Sequence, residues 1–199
     1  MSLTSDFAEL KRMPTPVVRT NDAAALWATS PATASTMLAR LAKVGHIQRL
    51  VRGLWLLDPT VHPWSLHPYL TDPSPSYLSL QTALFHYGMI EQIPTTIHVI
   101  STAKSRTIKT AVGTYCIHQV APNFFTDFQH LSNGPAQIAT PEKSLVDFFY
   151  FRPTKSRSFR NLPELELSKG FSKKHARDLA SLIASNPRRI MVEKLLSKL

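Results

Sequence analysis

The sequence predicts an α+β protein: an N-terminal helical part closed by a β-hairpin, then a mixed α/β part that ends in helices. Two helical stretches joined by a few residues run from 21 to 44, and two alternating stretches around a glycine follow at 46–57. From 77 to 151 helix-period and strand-period segments interleave, and two leucine-containing helical stretches fill 173–199. The chain has 199 residues, 43% of them hydrophobic and 18% charged, the balance of an ordinary globular protein. No apolar run approaches the roughly 20 residues of a spanning helix. The start, MSLTSDFAELKR, lacks an apolar signal stretch, and the single cysteine, Cys116, excludes an internal disulfide. The expected location is the cytoplasm, with Cys116 a small buried strand residue.

Charge is unevenly spread. Residues 1–57 carry +4, residues 58–150 carry −2 and residues 151–199 carry +8, within a total of +10. Two basic ends around a slightly acidic middle point to a polyanionic partner for the ends, and nucleic acid is the usual one.

A first short helix is expected over Ser5–Met13, with Phe7 and Leu10 on one face and Pro14 and Pro16 closing it. Asn21 is a natural N-cap for a second helix, with Asp22 in its first turn. Ser30 caps a third that has Pro31 at its first position. The join at Ala28 and Thr29 is so short that the second and third helices must cross steeply, as in a helix-turn-helix. On the third helix Ala34, Leu38 and Leu41 share one side, with Met37 at its edge. Thr33, Thr36, Arg40 and Lys43 share another. Short hydroxyls near the N-terminal end, with Ser35 beside them, and cations further along suit a helix entering the major groove.

Gly45 is placed to end that helix. His46–Leu50 alternates as a strand, Arg52-Gly53 makes a tight turn, and Leu54–Leu57 returns before Asp58-Pro59. A hairpin directly after such a helix is a wing, with Arg49 and Arg52 at its tip, where a wing meets the DNA backbone. The expected DNA-contacting residues are therefore Thr33, Ser35, Thr36, Arg40, Lys43, Arg49 and Arg52 in a winged helix-turn-helix domain spanning 1–57.

Residues 58–76 are rich in Pro and His, lack Gly and read as an ordered connection. His62 and His67 have no third ligand at a sensible spacing, so no metal site is expected. Over 77–199 a helix is expected at Tyr77–Tyr87, capped by Ser76 and ended by Gly88. Strands follow at Thr95–Ser101, Thr107–Lys109, Tyr115–Val120 and Pro135–Ala139. Thr140 caps an apolar helix with Pro141 and Glu142 in its first turn, matching the helix dipole, and Lys143 is expected at the surface. Glu142 and Lys143 could be read as half of a nuclease centre, but such a centre needs converging carboxylates, and Asp147, five residues beyond Glu142, lies on a different face of the helix. No catalytic triad, phosphate loop or zinc motif stands out, so no enzyme and no cofactor are expected. The stretch around 152–170, with Pro153 and Pro163 among its cations, reads as irregular. Ser172 then caps a helix over Lys173–Ala184, Asn186-Pro187 breaks the chain, and a last helix covers Arg188–Leu199. Lys173, Lys174, Arg177, Arg188 and Arg189 are expected to cluster near the break as a second polyanion contact.

The stretch 20–57, with SPATASTMLARLAKVGHIQRLVRGLWLL, resembles the winged helix of bacterial transcriptional regulators. Within that class it is most similar to the AbiEi-like antitoxins of abortive-infection systems. SLQTALFHYGMIEQIPTTIHV (79–99) is similar to that family's segment after the wing, and IATPEKSLVDFFYF (138–151) to its strand-to-helix signature. The resemblance covers roughly residues 15–152 and implies a repressor of its own operon, acting on repeated half-sites in its promoter. It also implies a functional pairing with a nucleotidyltransferase-type toxin that the second domain (77–199) neutralises, with or without direct contact. Two alternatives stand beside it: a solitary winged-helix transcription factor, and a nuclease with a DNA-targeting domain.

Overall fold

The computed structural model describes residues 3–131, 134–152 and 164–199. The chain divides into two compact units, Met1–Pro63 with Lys109–Gly113, and Trp64–Ile108 with Thr114–Leu199. The irregular stretch expected around 152–170 falls largely at 153–163, outside the described residues. Among the described residues no helix is long and apolar enough to cross a membrane.

Unit 1 runs α1 (Leu3–Lys11), β1 (Val17–Arg19), α2 (Thr20–Leu26), α3 (Pro31–Lys43), β2 (Gln48–Val51) and β3 (Leu54–Leu56). The strands form an antiparallel sheet in the order β1-β3-β2. Ser30 caps α3 as its chemistry demands: its hydroxyl accepts the backbone N–H of Thr33 at 3.1 Å, and Pro31 takes the first position. Gly45 and Gly53 both sit at φ +80, a conformation in which a side chain is strained; one ends α3 and the other turns the hairpin. Leu10, Val18, Ala23, Trp27, Ala34, Leu38, Leu41 and Trp55 make the core.

One local expectation is corrected in this unit. The second helix starts at Thr20, and its N-cap is Arg19, with no side-chain bond, rather than Asn21. The reason is β1. Val17–Arg19 pairs with Leu54–Leu56, and the N–H of Thr20 reaches the carbonyl of Gly53 at 3.0 Å, so pairing fixes the helix start. β1 itself was not expected, because three residues after Pro14 and Pro16 offer no strand periodicity.

Unit 2 contains a 3-10 turn (Pro63–Leu66, opening in the last residue of unit 1), α4 (His67–Thr71), β4 (Ser76–Leu78), α5 (Leu80–His86), β5 (Ile97–Ser101), and most of β6 (Arg106–Thr110) and β7 (Gly113–Gln119), whose shared turn with Lys109, Thr110 and Gly113 counts to unit 1. It continues with β8 (Phe128–His130), β9 (Gln137–Ala139), α6 (Pro141–Phe151), α7 (Lys173–Ser181) and α8 (Asn186–Leu196). The six-stranded sheet has the order β6-β7-β5-β4-β9-β8. β5 runs parallel to β7 and β4 to β9, while β4–β5 and β8–β9 are antiparallel. The fold is thus α+β with a mixed second sheet.

The helix expected from Tyr77 begins three residues later, since Ser76–Leu78 is the strand β4 between β5 and β9. Pro73 and Pro75 favour an extended entry, and the two flanking strands supply the backbone partners that a helix would have supplied internally. β8 was also not expected. Cys116 lies in β7 and is half-buried rather than buried.

The core of unit 2 gathers Tyr77, Leu84, Ile100, Phe124, Leu145, Phe148 and Phe149 with Ala176, Leu179 and Val192 from the last two helices. Into it goes a charged pair. Lys143, expected at the surface, is fully enclosed and forms an ion pair with Asp147, one helical turn on and equally enclosed. Asp147 also accepts hydrogen bonds from Ser79 Oγ at 2.7 Å and Tyr77 Oη at 3.2 Å. The Lys143 ammonium stands 3.4 Å from the centroid of Phe124. Burial pushes the Lys143 ammonium down and the Asp147 carboxyl up, and each charge opposes the other's shift. Three donors on one carboxylate and an aromatic face under the ammonium favour the ionised pair.

Candidate nucleic-acid interface

α2 ends with Trp27 donating to the carbonyl of Ala23 at 3.0 Å and Thr29 donating to that of Ala24 at 2.9 Å, with Ala28 between them at φ 48. This left-handed residue reverses the chain in two residues, so α3 packs across α2. Ala34, Leu38 and Leu41 are fully buried there, and Met37 is half-buried. Their burial decides which side of α3 meets solvent.

At 100° per residue, the line opposite the buried side runs through Ala32, Thr36, Ala39 and Lys43. Thr33 and Arg40 flank it on one side and Ser35 on the other. All seven are exposed. The five residues expected on this helix therefore share one surface, and two that the sequence reading passed over, Ala32 and Ala39, lie on its midline. Their small size was the available signal: a helix that must approach a partner closely needs short side chains on that line. Two hydroxyls are partly committed. Thr33 Oγ1 bonds Ser30 Oγ at 2.9 Å, and Thr36 Oγ1 donates to the carbonyl of Ala32 at 3.2 Å. The methyl of Thr36 then joins those of Ala32 and Ala39, while Ser35, Arg40 and Lys43 supply free polar reach.

The β2–β3 hairpin follows α3 through Gly45. Arg49 and Arg52 are both exposed, with Arg52 beside Gly53 at the turn. Arg49 lies directly across the hairpin from Trp55, and its guanidinium stands 5.8 Å from the indole centroid. Trp55 is buried, and its indole N–H donates to Thr20 Oγ1 at 3.1 Å. Arg19, paired with Leu54 at the same end of the sheet, is a further exposed cation. It was missed because its strand was missed.

Of the C-terminal cations expected as a second polyanion contact, three lie on α7 and two on α8. Lys173, Lys174 and Arg177 are exposed on α7, the first two in its opening turn. Arg188 and Arg189 lie in the first turn of α8. The Arg188 guanidinium covers the Tyr150 ring at 4.5 Å, and Arg189 Nη2 donates to Asn186 Oδ1 at 2.8 Å.

The carboxylates weighed as nuclease residues are engaged internally. Glu142 Oε1 accepts the backbone N–H of Ser172 at 2.6 Å, and Asp147 is enclosed with its three donors. Among the described residues no group of three or more His, Cys, Asp or Glu is placed to hold a metal ion. His67 is fully buried in a relay in which it meets Ser76 Oγ at 2.7 Å and accepts the N–H of Gln137 at 3.4 Å. No protein-family model and no curated protein matches the chain.

Proposed function

We propose that unit 1 is a winged helix-turn-helix that binds double-stranded DNA, and that the protein is the self-regulating antitoxin of an abortive-infection toxin–antitoxin pair. The observation that carries the DNA reading is the exposed face of α3, composed of methyls, hydroxyls and two cations, followed at once by an arginine-tipped hairpin. α3 lies in the major groove in this reading. Methyls at Ala32, Thr36 and Ala39 suit the thymine methyl group, Arg40 suits guanine, and Lys43 suits phosphate. Arg49 and Arg52 meet the backbone through the wing. The antitoxin assignment rests on the sequence resemblance over 15–152. It predicts a neighbouring reading frame with a nucleotidyltransferase motif, whose toxicity co-expression of this chain relieves. Absence of that neighbour favours the second reading, a solitary transcription factor.

Two substitutions test the interface in DNA titrations. Arg40→Ala is expected to weaken binding to the protein's own promoter by about 1–3 kcal/mol and to relax sequence preference. Equal loss on promoter and random duplex would reduce Arg40 to a phosphate contact. Arg52→Ala is expected to weaken binding on all sequences alike and to lower the slope of log affinity against log salt by about one. A slope that does not move contradicts the wing assignment.

A further inference from the structure

The two wing arginines differ in how they are held. Arg52 sits at the turn, whereas Arg49 is the cross-strand partner of Trp55 and lays its guanidinium toward the indole face. The indole is in turn fixed twice: it is 5% exposed within the core of unit 1, and its N–H is bonded to Thr20 at the first position of α2. A planar cation held over an immobile ring loses little freedom when it meets an anion, while an arginine free in solvent must be ordered at that moment. The chain from Thr20 to Trp55 to Arg49 also ties the wing cation to the helix pair that carries α3.

We infer that Trp55 is a positioning residue for DNA binding: its indole holds the Arg49 guanidinium in the pose in which the wing meets a backbone phosphate. The inference rests on the DNA reading of unit 1 and adds a division of labour within it. Arg49 supplies a pre-set contact, and Arg52 an adaptable one. Lysine replaces Arg49 poorly, because an ammonium keeps the charge but not the planar, weakly hydrated guanidinium.

The test is an anisotropy titration of the full chain on a labelled random-sequence duplex at several salt concentrations, with Arg49→Lys, Trp55→Leu and the double variant. Each single change is expected to weaken binding about two- to fivefold, the worth of an exposed cation–π contact. Arg49→Lys should leave the salt slope unchanged, since the charge remains. The double variant should bind no more weakly than the weaker single one. A purely structural Trp55 gives losses that multiply in the double variant, and that result overturns the inference while leaving DNA binding intact. So does wild-type affinity in Arg49→Lys. Failure of the wild-type chain to show any salt-dependent binding overturns the inference together with the DNA reading. Melting curves verify that each variant folds. Where Trp55→Leu does not, Trp55→Phe takes its place in the cycle, with a smaller single loss and the same requirement on the double variant.

Discussion

Lys143→Met is expected to destabilise unit 2 by about 3–5 kcal/mol, because it removes the counter-charge of a carboxylate that has no route to water. Asp147 keeps the hydroxyls of Ser79 and Tyr77 but loses the Lys143 ammonium. Burial raises the Asp147 carboxyl in the native protein already, with Lys143 the leading opposing influence, so the variant's carboxyl rises further. A group whose folded pKa lies above its unfolded value stabilises the fold below the unfolded pKa and loses that contribution as pH rises through the folded one. The deficit of Lys143→Met relative to the native chain is therefore larger at pH 8 than at pH 5. Removing both charges, as Lys143→Met with Asp147→Leu, should recover part of the loss: the unpaired charge is gone, while the buried Ser79 and Tyr77 hydroxyls lose their acceptor. Urea unfolding curves of the three proteins decide it. A single variant within about 1 kcal/mol of the native chain would contradict the enclosed ion pair.

The second large effect is acid destabilisation. Burial pushes His67 and His98 down to about 3 and His118 down to about 4. His98 and His118 stand side by side on the parallel strands β5 and β7, with His98 Nδ1 and His118 Nε2 3.1 Å apart. Above the ordinary histidine value of 6.5 neither the folded nor the unfolded chain protonates these rings, and pH has no leverage through them. Below it the unfolded chain takes up protons that the folded chain refuses. Each ring then costs about 1.4 kcal/mol per pH unit until its folded value is reached. Three rings together make the protein about 6 kcal/mol less stable at pH 5 than at pH 8. The expected profile from denaturant titrations is flat between pH 8 and 7 and steep below 6.5. A flat profile down to pH 5 would mean that these histidines are hydrated in the fold.

How far the sequence reached depends on whether the deciding interaction is local. Ser30-Pro31 and Thr140-Pro141 announced α3 and α6 correctly because a cap acts within its own first turn. Gly45 and Gly53 were equally legible, since positive φ is a property of one residue. The exposed face of α3 followed from helical periodicity alone, and the residues expected there do share one surface. β1 and β4 escaped because each is three residues long and exists only through partners far along the chain. Lys143 was placed outside for the same reason. Its spacing to Asp147 is visible in the sequence, but the enclosure comes from Tyr77, Ser79 and Phe124, which other elements deliver.

The central claim is that unit 1 binds DNA in a sequence-selective way through α3 and its following hairpin. The measurement that tests it most directly is a titration of the purified full chain on its own promoter fragment against a random duplex of equal length, at two salt concentrations. The account predicts promoter binding at least a thousandfold, by order of magnitude about 10³, tighter than random binding, with both weakened by salt. Equal affinity for the two duplexes at both salt concentrations, or no binding to either, would contradict it.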